Sequence, residues 1–386
     1  MFRRHKYQWL IGGLIILVTF AIGVAIYNTQ SQERQIGISS QKIQSQYRIW
    51  KKYYLRGNET QKFVKTNNDS KNRTLSEAQG YGMVITVMAA QQGFGSQKTF
   101  DQLTSYYLNH RISSRNSLMA WRQNQQGEKM TSTKAEKTSA TDGDLDIAYA
   151  LMLADKKWGS NEKFDYHTLA LQLLGDIYKY EINPKTALPK VGNWAQGKNG
   201  NVVRTSDLIS VYFREFASYT KDGRWTKTMQ NSQRTLQELS NQHRTGLMAD
   251  FVVVSGNNLN INTVKPNQIA SKYDAEYGFN ACRIPWRVAY DYQLNHSRIS
   301  KGVITKIDNF FARKKNITAI YTLDGKPIEK YENEAFCAPV AYSAEVLGNQ
   351  ILKSRYKKVL TAPIRSKDYY PATIQMLTLL ASGELK

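Results

Sequence analysis

Apolar residues return at helical spacing in segment after segment of this chain, and almost nowhere in strand alternation. Met83, Val84, Val87 and Met88 share one side of a segment spanning 80–92, and Ile147, Leu151 and Met152 do the same within 145–156. The same reading predicts helices over 166–178, 207–220, 227–242, 285–294, 300–314, 338–352 and 372–380, with glycine or polar clusters between them. Only 251–254 and 317–323 read as strands, and the hydrophilic stretches 58–73 and 122–140 read as surface loops. An all-α domain of many short helices follows. The chain has 386 residues, 41% of them hydrophobic, which is enough to enclose one large core and excludes global disorder.

The N-terminus has a different character. Residues 9–27 are apolar except for Thr19, about the length that crosses a bilayer as a helix. Arg3, Arg4, His5 and Lys6 precede them, so the positive-inside bias puts residues 1–8 in the cytoplasm and the rest outside. A signal anchor over 9–27 is expected, the alternative being a secreted chain cleaved near Gly23-Val24-Ala25. Residues 28–45, rich in Gln and Ser, read as a polar stalk, and 46–386 as one domain.

The formal charge of +22, from 53 basic and 31 acidic residues, favours an anionic partner. The basic residues are scattered and form no nucleic-acid-binding module, so nucleic acid is not expected as a partner. Cys282 and Cys337 suffice for one disulfide or for two buried thiols. The five histidines form no metal motif, and no metal is expected. Tyrosine, with 24 residues, and tryptophan, with 7, are the side chains that line sugar-binding clefts, since a ring face stacks on C–H groups.

Chemistry is concentrated in two acidic helix starts. Glu77 stands in Ser76-Glu77-Ala78-Gln79-Gly80-Tyr81-Gly82-Met83. Asp142, Asp144 and Asp146 alternate in Thr141-Asp142-Gly143-Asp144-Leu145-Asp146. Helix capping by Ser76, and by Thr141 or Asp142, explains either cluster taken singly. Two such clusters with aromatic residues nearby point instead to paired carboxyls acting on a sugar bond.

These segments resemble the S-E-G-Q-G-Y-G-M and A-[ST]-D-[AG]-D signatures of glycoside hydrolase family 8. The run from Leu118 to Arg122 and Ala281-Cys282-Arg283-Ile284-Pro285-Trp286-Arg287 also look like family segments, in the family's order. The resemblance implies an (α/α)6 barrel and inverting hydrolysis of β-1,4-linked polysaccharides without a cofactor. It implies Glu77 as proton donor and Asp142 as the residue holding the distorted sugar. Substrate contacts would come from Trp121, Asp144, Tyr81, Arg283 and Asn280. The expected partners are a polysaccharide and, through the anchor, the membrane, with the chain acting as a monomer.

One departure matters. The family's usual base is an Asp where this chain has Asn280, and an amide cannot usefully accept the water's proton, so the usual base is absent. The same Asn marks a chitosanase-like subgroup in which a loop glutamate serves. Asp207, Glu276 and Asp274, in that order, are the candidate bases here. A polycationic chitosan conflicts with the charge of +22, which suits a neutral β-glucan or an anionic exported polymer better. A polysaccharide-binding protein that has lost its base is the competing reading.

Overall fold

The computed structural model describes residues 38–356 and 358–385. Its twelve α-helices are α1 (Ser40–Tyr54), α2 (Ser76–Gln91), α3 (Gln97–Asn109), α4 (Thr141–Trp158), α5 (Tyr166–Glu181), α6 (Ser210–Thr220), α7 (Gly223–Gln242), α8 (Ile284–Asn295), α9 (Arg298–Ala312), α10 (Glu334–Leu347), α11 (Gln350–Tyr356) and α12 (Tyr369–Ser382). Each even-numbered helix packs on the next, and α12 returns to α2, closing an inner ring of six. The odd-numbered helices back them: α3 lies on α2, α5 on α4, α7 on α6, α9 on α8, α11 on α10 and α1 on α12. This is the (α/α)6 barrel.

Sequence composition separates the two rings. In α2 every residue except Glu77 and Gln91 is buried, as expected of a helix that is apolar or small on all sides. Outer α7 instead buries a single stripe, including Trp225, Leu236 and Leu239, and leaves its polar face to solvent. Gly80 and Gly143 permit the tight crossing of α2 and α4. A Cβ on Gly143 would stand 2.5 Å from the Ser76 Oγ and 2.7 Å from the Glu77 nitrogen, and one on Gly80 2.8 Å from the Gly143 oxygen. The first turns of the two helices are therefore pressed together.

Short strands carry the connections: β1 (Leu55–Gly57), β2 (Lys62–Val64), β3 (Arg73–Leu75), β4 (Arg111–Ser113), β5 (Asn116–Met119), β6 (Arg122–Gln126), β7 (Lys129–Thr131), β8 (Val202–Arg204), β9 (Phe251–Ser255) and β10 (Asn260–Thr263). They pair as β1-β2, β3-β6-β7, β4-β5 and β10-β9-β8, all antiparallel. Two registers matter for the site. Leu75 pairs with Arg122, and the Ser76 N–H donates to the Trp121 carbonyl at 3.0 Å, setting Trp121 at the start of α2. Arg204 pairs with Phe251, which brings the end of β8 beside Asp250.

Several expectations need correction. The stalk predicted over 28–45 is interrupted at Ser40, where α1 begins; Ile43, Tyr47, Trp50 and Tyr54 fall on its buried face, and the Trp50 indole donates to Thr373 at 3.0 Å. The loop predicted over 122–140 contains the β6-β7 hairpin, and 58–73 contains β2. Residues 317–323 form isolated bridges rather than a strand. The helix predicted over 338–352 is two, because Gly348 ends α10 in a left-handed conformation at φ 70°. Cys282 and Cys337 are both buried and unpaired. No helix among the described residues is long and apolar enough to cross a membrane. The anchor predicted over 9–27 lies outside the described residues.

Candidate active site

Neither acidic helix start is capped by a side chain. The N-cap positions of α2 and α4 are Leu75 and Ala140, and the Ser76 and Thr141 hydroxyls are buried without a hydrogen-bond partner. Capping therefore does not account for Glu77 and Asp142. Both carboxyls sit at the positive ends of helices and converge on arginines delivered from elsewhere in the chain.

Arg283, 1% exposed, is the hub. Its Nη1 donates to Asp142 Oδ2 at 3.0 Å, to the Tyr81 hydroxyl at 2.9 Å and to Glu77 Oε2 at 3.3 Å. Its Nη2 donates to Asn280 Oδ1 at 3.1 Å. Arg204 Nη1 lies 3.0 Å from Asp142 Oδ1 and 3.0 Å from Asp207 Oδ2. One layer deeper, Arg287 pairs with Asp146 at 2.9 Å and stands 3.7 Å from Asp207 Oδ1.

The result is a divergence between neighbours. Burial raises the Glu77 carboxyl to about 7; Asp142's negative charge adds to the rise, and Arg283 only partly offsets it. Burial acts on Asp142 too, but Arg204 and Arg283 outweigh it and hold that carboxyl well below the ordinary range. Below pH 7 a largely neutral acid and a fixed anion stand side by side.

Glu77, whose side chain is 18% exposed, opens into a cleft of about 750 Å³. Trp121, Arg122, Arg73, Phe279, Asn280, Tyr331, Asp368, Tyr369 and Tyr370 are among its walls. Trp121 and Asn280 thus stand where a substrate reaches them. Asp142, 4% exposed, lies directly behind, bridged to Glu77 through Arg283.

Other predicted residues sit elsewhere. Tyr81 is fully buried and supports Arg283 rather than facing the cleft. Asp144 points back into the barrel, where it accepts from the Met119 N–H at 2.9 Å; burial and the Glu181 carboxyl raise it well above its usual range. The i, i+2 spacing puts Asp142 and Asp144 on different faces of α4, so they do not share a subsite. Asp207 is fully buried in the arginine cluster. The Asp274 carboxylate folds onto its own loop, accepting from the Ile269, Ala270 and Ser271 N–H groups. Glu276 is absent from the cleft wall, and burial together with the Asp324 charge raises its carboxyl above the ordinary range.

The structure adds residues that sequence reading passed over. The Tyr369 hydroxyl donates to Glu77 Oε1 at 3.3 Å. Asp368 is the second carboxyl on the cleft wall. Arg204 is the second cation on Asp142. Asp250, 3% exposed, contacts Asn280. For Tyr369 the adjacent Tyr-Tyr-Pro run before a helix was a usable signal; Arg204 and Asp250 carry none in the sequence.

Comparison with known proteins agrees with this architecture. The chain is 30% identical to a beta-glucanase of Niallia circulans over 351 residues, 88% of this chain and 83% of that protein. It is 28% identical to Endoglucanase A of Acetivibrio thermocellus, over 88% of this chain and 68% of the relative. The structure of a beta-1,3-1,4-glucanase from Paenibacillus sp. X4 superposes with a TM-score of 0.81 at 28% identity, covering 90% of this chain and 93% of that one. A reducing-end xylose-releasing exo-oligoxylanase shares the fold, with a TM-score of 0.72 at 20% identity. The model of glycosyl hydrolases family 8 matches residues 14–384, and the chain belongs to that inverting family of glycosidases.

Proposed function

We propose that the protein hydrolyses internal β-1,4 linkages of a neutral β-glucan with inversion, Glu77 acting as general acid. The observation that carries this reading is the divergence of Glu77 and Asp142. A carboxyl held up to about 7 at the cleft wall keeps a proton to give to the leaving oxygen, while its neighbour stays anionic. Asp142 and Trp121 would position the sugar ahead of the cleaved bond, one by charge and hydrogen bonding, the other by stacking.

Cleft charge supports the choice of substrate. Arg73 and Arg122 share the cleft wall with the carboxyls of Glu77 and Asp368, and Glu77 is largely neutral below pH 7, so a polycationic chain finds no net attraction. Asn280 alone points to the chitosanase-like subgroup, while the related proteins named above are beta-glucanases and endoglucanases. The apolar run over 9–27 behind its basic cluster supports an anchored enzyme acting outside the membrane, where polysaccharide is met.

Reducing-sugar release from mixed-linkage β-glucan, cellulose derivatives, xylan and chitosan tests the proposal. The wild type is expected to turn over β-glucan and to release the α-anomer first by NMR, and Glu77→Gln to lower kcat by about 10²–10⁴-fold. An initial β-product would overturn the mechanism. If wild type and Glu77→Gln are equally inert yet bind one polymer, the binding-protein reading replaces it.

A further inference from the structure

With Glu77 as the acid, the attacking water must lose its proton to something else. Asp368 stands on the cleft wall next to the Tyr369 that holds Glu77, on the acid's own segment of wall, and Asp207, Asp274 and Glu276 do not reach the cleft. Asn280 does, and behind it lies a carboxylate. We infer that Asp250 is the proton acceptor of the hydrolysis, reached through the side-chain amide of Asn280; this rests on the function proposed above.

The amide cannot be turned around. Its Oδ1 takes a hydrogen bond from Arg283 Nη2 at 3.1 Å, and a guanidinium only donates; its Nδ2 donates to Asp250 Oδ2 at 3.1 Å, and a carboxylate only accepts. The two Asp250 oxygens have divided tasks. Oδ1 is saturated by the backbone N–H groups of Gly278 at 3.0 Å, Asn280 at 3.1 Å and Ala281 at 2.7 Å, whereas Oδ2 is held by the Asn280 amide. Gly278 makes this approach possible, since a Cβ there would stand 2.6 Å from Asp250 Oδ2. No cation pairs with Asp250 among the described residues. The other titratable groups facing it are Tyr277 and Cys282, both kept neutral by burial, with Arg283 beyond the amide. Burial raises the Asp250 carboxyl to about 6 against those four hydrogen bonds, so its protonated form is within reach.

The step balances. A water hydrogen-bonded to the free lone pair of Asn280 Oδ1 attacks the anomeric carbon, and the bond from that carbon to the leaving oxygen breaks as Glu77 gives that oxygen its proton. The water's proton passes to Oδ1 while Nδ2 gives a proton to Asp250 Oδ2, leaving an imidic acid beside a neutral carboxyl. After product release Asp250 returns its proton to Nδ2, Oδ1 releases its own to solvent, and Glu77 is reprotonated. Water supplies every atom that is added, and no co-reactant is needed.

The test is a swap on the full chain. Asp250→Asn sets two amide donors against each other and is expected to lower kcat on β-glucan at least 100-fold. The double variant Asp250→Asn/Asn280→Asp restores the hydrogen bond in the opposite direction and puts the carboxylate in the cleft beside Arg283. It is expected to regain at least about tenfold over Asp250→Asn, with the acid limb of its pH profile lowered by about one unit relative to wild type. Azide, which attacks without needing a general base, is expected to restore turnover to Asp250→Asn on β-glucan, whereas a merely structural loss would not be rescued. An unmoved limb, or Asp250→Asn within about fivefold of wild type, overturns the relay. Should Asp250→Asn fail to fold, Asn280→Ala decides, because it keeps the backbone bonds to Asp250; retention of more than about a tenth of kcat overturns the proposal. An aryl β-cellobioside with an acidic leaving group separates the two readings. Glu77→Gln should still hydrolyse it, and Asp250→Asn should not. If Glu77→Gln fails on β-glucan while the Asp250 variants match wild type, only the relay falls.

Discussion

Helices α2 and α4 begin alike: an acidic residue in the first turn, an apolar N-cap, and a buried hydroxyl that caps nothing. Their carboxyls nevertheless hold opposite states. Asp142 is gripped on both oxygens by separate arginines at 3.0 Å. Glu77 shares a nitrogen, Arg283 Nη1, with Asp142 and stands farther from it, at 3.3 Å, with Asp142's charge opposing its own. The helix dipole is common to both and worth at most about 2 kcal/mol, so it does not set the difference. The number of cations per carboxylate does, and that number depends on residues more than 60 positions downstream.

The largest break in this comparison is Asp142→Asn. It strips both arginines of a buried partner and should cost about 3–5 kcal/mol in urea unfolding, with activity lost as well. A cost below about 1 kcal/mol would mean the arginines find other partners. Next is the pH dependence of Glu77→Gln. The wild-type carboxyl has a folded value of about 7, above the roughly 4.3 of an unfolded glutamate. Its contribution is fully present below pH 4.3 and is lost as pH rises through 7. The neutral glutamine has no such loss, so the variant should gain on wild type by up to about 3 kcal/mol between pH 4 and pH 8. Parallel stability curves would show that Glu77 is ionised at neutral pH. The smallest effect belongs to Trp121→Ala, which removes a stacking surface beside Glu77 without touching either charge. KM for β-glucan should rise several-fold, about 1 kcal/mol, with kcat nearly unchanged. A fall in kcat without a change in KM would assign Trp121 to the chemistry instead.

Much of the barrel was readable because helical periodicity is local. The segments around Met83, Ile147 and Val303 announced their helices within a few residues of the observed ends. Helix α1 escaped notice although Ile43, Tyr47, Trp50 and Tyr54 keep a helical interval, because polar residues dominate the rest of it. Within the site, Glu77, Asp142, Trp121 and Asn280 were legible from their segments, and Arg283 from the Pro-Trp-Arg run that follows it. Asp144 and Tyr81 were misplaced, since a motif names residues without telling which side of the helix meets the cleft. Arg204 and Asp250 were invisible, because each is significant only through a partner far away in the chain.

The sequence by itself therefore determined the helices, the two acidic starts and the absence of a carboxylate at 280, all of which depend on residue type and near-neighbour spacing. The tertiary structure decided the rest. Closing α12 onto α2 and pairing β8 with β9 fix which arginine meets which carboxylate, and in a buried site that distance, not residue identity, sets which acid keeps its proton.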